Sequence, residues 1–160
     1  MRISLKIIIF IFLIPSKSFG LIEVDITRGN LNPLPIAVSP LSIDENSRKN
    51  FEKILKKKNI GVEISKIIEV NLKTSGLFNP LNKDAFLQAP DIANLKPRFE
   101  DWNLIKAQAL ITGKVSFNEE KLRVEFRLWD VLAGKEMVAL AFTTVPTNWR
   151  RVGHIITDKV

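Results

Sequence analysis

His154 is the only histidine in this 160-residue chain, and Asp158 follows it at the spacing that places two side chains one helical turn apart. A serine nucleophile beside them would complete a hydrolase triad. No G-x-S-x-G elbow occurs anywhere in the sequence to present such a serine. The pair therefore reads as a packing or surface histidine near a helix end, because an active site requires nucleophile, base and orienting acid together. Glu119 and Glu120 are adjacent carboxylates, but neighbours in a hairpin turn point apart into water and are read as turn residues. Ser75-Gly76 and Ala133-Gly134 lack the glycine spacing and the lysine of a phosphate-binding loop. With no cysteine in the chain, disulfides, thiol chemistry, cysteine zinc sites and a lipid anchored on an N-terminal cysteine are excluded. No metal motif is present, and no catalytic, cofactor or metal residue is assigned.

The basic run from Lys53 to Lys58 is the remaining candidate for chemistry, through nucleic acid or anionic lipid. It lacks the interleaved aromatic residues on which single-stranded bases stack, so it reads as a solvated helix face, and no nucleic-acid partner is expected. The formal charge of +7 points the same way. Arg2, Lys6 and Lys17 carry three of those charges, and all three lie in a segment with the three-part form of a secretory signal: a basic start, the apolar run Ile7–Ile14, and small residues at Ser18 and Gly20. Eight apolar residues are far short of the roughly 20 that span a bilayer. Cleavage between Gly20 and Leu21 is expected to leave residues 21–160, with a charge of +4. The two domains of the precursor are thus a signal peptide at 1–20 and a single domain at 21–160, exported to a bacterial periplasm and not inserted in the membrane.

Periodicity places the elements. Ile22, Val24 and Ile26 alternate with Glu23, Asp25 and Thr27, the period-two pattern of a half-buried strand. Leu34–Val38 (LPIAV) is a short buried strand. Residues 44–60 read as a helix that holds six basic and three acidic side chains, stopped or re-aimed by Gly61. A second helix follows at 62–74, with Gly76 as its left-handed closing residue. Residues 77–81 are extended, 82–101 loop-like with interruptions at Pro90 and Pro97, and 102–106 a short helical turn. Strands at 109–115, 122–128 and 136–144 form an antiparallel meander, and 147–160 begins a helix capped by Thr147 or Asn148. The expected architecture is α/β, a mixed five-stranded sheet packed with helices.

Several of these segments, taken in order, resemble the TolB amino-terminal domain family of the Tol-Pal system. The most specific stretch is Glu63–Leu72 followed by Ser75-Gly76-Leu77-Phe78-Asn79-Pro80-Leu81. Around it stand the acidic-apolar start at Ile22–Ile26, the run Pro35–Leu41, Trp102 with Ala107–Val115, Leu122–Asp130, and Trp149-Arg150-Arg151 with Gly153, His154 and Asp158. The resemblance implies an anticodon-binding-domain-like fold and a protein-binding, non-enzymatic role. It also implies that the mature N-terminus (Leu21, Ile22, Glu23, Val24, Asp25, Ile26 and Thr27) binds the C-terminal domain of TolA. Pal would be bound only through a β-propeller, which this sequence does not contain. The residues read by themselves agree with strand addition: an alternating segment at a free end can pair with a partner's sheet edge, with Ile22, Val24 and Ile26 entering pockets. The alternatives are an edge strand of the domain's own sheet, another exported α/β adaptor for envelope assembly, or a small exported hydrolase using His154 and Asp158.

Overall fold

The computed structural model describes residues 32–160, apart from Lys58 and Glu119. The expected strand at 22–27 and the cleavage site lie outside the described residues. Within them a six-stranded sheet is built from β1 (Leu34–Val38), β2 (Ser42–Ile43), β3 (Phe78–Pro80), β4 (Ala109–Asn118), β5 (Lys121–Asp130) and β6 (Lys135–Thr144). The principal path is β3-β1-β4-β5-β6, with β2 paired beside β1 along β4. The five-stranded expectation thus gains one two-residue strand. β1 pairs in parallel with β3 and β4, whereas β4, β5 and β6 form the expected antiparallel meander.

Alternation along the central strands divides the core in two. Ile36, Val38 and Ile111 join the larger cluster, while Ala37 and Leu110 between them belong to the smaller, as the period-two geometry of a strand requires. The larger cluster is closed by α1 (Glu45–Leu55) through Phe51, by α2 (Ile60–Thr74) through Ile64, Ile68 and Leu72, and by α5 (Trp149–Thr157) through Val152 and Ile156. The smaller is closed by α3 (Pro90–Leu95) and α4 (Phe99–Leu104) through Ala93 and Trp102.

Two helix boundaries differ from the periodicity. The expected helix at 44–60 ends at Leu55, where Lys56 takes a left-handed conformation (φ 52°), and α2 begins at Ile60 with the Asn59 side chain capping Val62 N–H. Gly61 lies inside α2 and stops nothing. It is there because the helix crosses the chain at Leu41: a Cβ at Gly61 would overlap the Leu41 carbonyl oxygen. Gly76 has the expected positive φ of 74° just after α2. The segment read as loop-like, 82–101, contains a 3-10 turn (Lys83–Ala85), all of α3 and the start of α4. Pro90 opens α3 at its first turn, where a missing N–H costs nothing, instead of interrupting a loop. Gln88 joins these pieces: its Oε1 accepts from Trp102 Nε1–H at 2.9 Å and from Arg98 N–H at 3.0 Å.

Candidate functional site

The seven residues expected to bind protein, Leu21–Thr27, and the scissile pair Gly20–Leu21 all lie outside the described residues. The structure instead describes the body to which they are joined. The chain enters it at β1, the strand held between β3 and β4 and buried on both faces at Ile36, Ala37 and Val38.

His154 and Asp158 stand on and just beyond α5, and their one shared interaction is helical, Asp158 N–H donating to the His154 carbonyl at 3.1 Å. The His154 ring faces α2, with Nδ1 2.8 Å from the Asn71 amide nitrogen. This contact ties α5 to α2 through an exposed side chain, in keeping with the reading of His154 as a packing or surface histidine. The two helices approach closely at Gly153, where a Cβ would stand 2.9 Å from Ile67 Cγ2.

Three of the described basic residues of α1 and its C-terminal end, Arg48, Lys49 and Lys57, have acidic neighbours. Arg48 and Lys49 lie near Glu45 at 3.9 and 4.0 Å, and Lys57 lies 3.6 Å from Glu63 and 5.6 Å from the Trp149 ring centre. The Arg150 guanidinium lies over the same ring, its Cζ 4.3 Å from the ring centre. Such partly exposed pairs are worth little individually, and they fit a helix face in water.

Two clefts flank this framework. One, about 290 Å³, is lined by Ser42, Ile43, Asp44, Asp91, Asn94 and Lys114. Asp44 is held below its ordinary value of 3.8 by the backbone N–H of Ser47, which donates to Oδ1 at 2.9 Å, against the opposing effect of desolvation; the Ser47 hydroxyl and the Lys114 charge add to the lowering. Its carboxylate thus caps α1, as an N-cap acid does, and it is committed to structure. Ser47 extends the same link by accepting from Phe117 N–H of β4 at 2.9 Å. The other cleft, about 360 Å³, lies between α2 and α5 and includes Ile67, Val70, Trp149 and His154. Among the described residues, no three His, Asp or Glu side chains gather as a metal site would need. No helix among them is long and apolar enough to cross a membrane.

Sequence reasoning passed over the Asp44–Ser47–Phe117 link. Its signal was present: an Asp followed three residues later by a Ser at the head of an apolar-striped helix.

Fold and surface together define a mixed-sheet α/β domain with helices unequally divided between its two faces and shallow clefts between them. Residues 22–137 match the sequence model of the TolB amino-terminal domain, and the chain belongs to that family. It is 78% identical over 152 residues to the Tol-Pal system protein TolB of Pelagibacter ubique (strain HTCC1062), an alignment that takes in 95% of this chain. It spans 34% of the length of that relative. Among solved structures it is similar to TolB from Acinetobacter baumannii, with a TM-score of 0.60 at 19% identity over 79% of this chain and 27% of that one. At that identity the likeness speaks for the fold alone.

Proposed function

We propose that this chain is the partner-binding domain of a Tol-Pal envelope system, that it is cut between Gly20 and Leu21, and that it works in the periplasm without catalysing a reaction. Its new N-terminus, Leu21–Thr27, adds as a strand to an edge of the C-terminal domain of TolA. Residues Ile22, Val24 and Ile26 enter the partner's pockets, and Glu23 and Asp25 steer a basic partner. In the longer protein, a propeller beyond Val160 binds Pal, so that the whole links inner-membrane TolA to outer-membrane Pal and supports envelope integrity and constriction at division.

The observation that carries this reading is the period-two pattern of Ile22–Thr27 at the start of the family match. The relative's membership of a Tol-Pal system supports the setting. Deletion of residues 21–27 is expected to abolish binding to the TolA C-terminal domain in calorimetry while the far-ultraviolet circular dichroism stays unchanged. Undiminished affinity in the folded deletion variant would overturn the proposal. N-terminal sequencing of the exported protein is expected to begin at Leu21.

A further inference from the structure

The two faces of the sheet are covered by segments held in different ways. Over the larger core, α1 and α2 carry side-chain caps from Asp44 and Asn59, and Ser47 ties α1 to β4. Over the smaller core lies one stretch, residues 82–107, which holds the 3-10 turn, α3 and α4. It leaves the sheet at Leu81, whose N–H donates to the Ile36 carbonyl at 2.9 Å, and returns at Gln108, whose N–H donates to the Pro35 carbonyl at 3.0 Å. Both ends are thus anchored to neighbouring residues of β1.

Between these anchors, the hydrogen bonds found among the described residues close within the stretch itself. Ala93 N–H donates to Ala89, Asp101 to Arg98 and Ala107 to Trp102. Gln88, only 4% exposed, joins the two halves by accepting from Arg98 N–H and Trp102 Nε1–H. Trp102 also meets Phe86 edge-on, their ring centres 5.0 Å apart. The hold on the sheet is side-chain packing instead, through Ala93 and Trp102 in the smaller core and through Phe99 against Trp129 at 5.7 Å. An ion pair between Lys83 and Glu69 reaches α2 close to the first anchor, and a partly exposed pair of this kind adds little.

We infer that residues 82–107 form a strap that opens from the sheet and melts as one unit while the larger core stays folded, uncovering Ala37, Leu110 and Val131. The two helices of the strap have six residues each and no side-chain hydrogen bond at either N-cap. Helices so short do not persist once lifted from the surface that supports them. Because Gln88 and Trp102 connect both halves, loss of one half loosens the other. Opening breaks the strap's own bonds and the contacts of the smaller cluster. It breaks no ladder bond of the sheet and leaves Phe51, Ile64 and Ile156 packed in the larger cluster. The cost is therefore below that of global unfolding, which is the condition for a separate opening of this kind.

Native-state hydrogen exchange of the full chain, read peptide by peptide, tests the strap. Amides of residues 85–104 are expected to be at least about tenfold less protected than those of 109–117. Two variants then separate a cooperative unit from a merely soft region. Ile156→Val thins the larger core, which the open state retains. It should lower the protection of 109–117 by roughly two- to tenfold and leave that of 85–104 unchanged. Gln88→Ala takes the acceptor from Trp102 and Arg98, a contact absent from the open and the unfolded state alike. It should lower both protections by the same factor, roughly tenfold. Equal protection of the two stretches in the wild type overturns the inference, as does a fall in strap protection in Ile156→Val that matches the fall in the sheet. Should a variant fail to fold by circular dichroism, exchange of the wild type in low urea decides. A shallower urea dependence for the strap than for the sheet supports a separate opening, because less surface is exposed, and an equal dependence overturns it.

Discussion

β1 and β6 belong to one sheet, yet β1 is paired on both edges and buried on both faces, while β6, among the described residues, is paired on one edge and has no fully buried residue. Their neighbours explain the contrast. β1 lies in parallel pairing with β3 and β4, and parallel strands are joined by crossovers that bring helices over the sheet. Here α1 and α2 cover one face, and α3 and α4 cover the other. β6 follows β5 through the short turn at Val131–Gly134, so no helix lies between them to cover the outer face. The half of the sheet built by crossovers is enclosed, and the half built by turns is left half in water. In this domain, connection type decides which strands are enclosed and which keep a face in water.

Substitutions should separate the two halves. Ile36→Ala on β1, a fully buried side chain, is expected to cost about 2–5 kcal/mol, read as a lower urea midpoint at constant slope. Val138→Ala on half-buried β6 should cost less than half as much; equal losses would erase the distinction between the two strands. Gly61→Ala forces a methyl group onto the Leu41 carbonyl and should destabilise by about 1–3 kcal/mol, as overpacking does.

The junction between the halves is β4, to which α1 is tied through Ser47. Asp44→Ala removes the cap and should cost about 1 kcal/mol. Its pH dependence is signed. The folded-state pKa lies below the ordinary value of 3.8, so the carboxylate contributes its full stability above that value and loses it as pH falls through the lower, folded-state pKa. The wild type should therefore lose more stability than Asp44→Ala on acidification below about pH 4, measured by thermal melts across that range. The smallest effect is expected at exposed Met137 on β6, where Met137→Thr should leave stability within about 0.5 kcal/mol of wild type.

The same contrast governed what could be read from the residues. The meander was plain, because Leu122, Val124, Phe126 and Leu128 alternate with charged residues and each hairpin has turn residues between its strands. β1 also read correctly, its continuous apolar run being what two covered faces demand. The six-residue helix α3 did not show, and α4 (Phe99–Leu104) showed only as a turn at 102–106, because fewer than two turns give no stripe to detect and Pro90 looked like a break. The end of α1 was missed because a lysine, Lys56, took the left-handed position that glycine usually fills, which drew attention to Gly61 instead. The proposed partner-binding residues are legible in the opposite sense: Ile22–Thr27 declare a strand by pattern alone, and they lie outside the described residues.

The placement of β1 has a mechanical consequence. Its ladder bonds to β3 and β4 run on both sides and lie across the strand's direction, from Leu34 to Ile36 on one side and Ile36 to Val38 on the other. Tension arriving along the chain at Leu34 would pull the strand lengthwise. It would then load all of those bonds together in shear, and drag Ile36 and Val38 through the core, before any one bond could open alone. An outer strand pulled sideways would instead unzip bond by bond. A domain tethered by its N-terminal segment is thus gripped at the strand best placed to bear load.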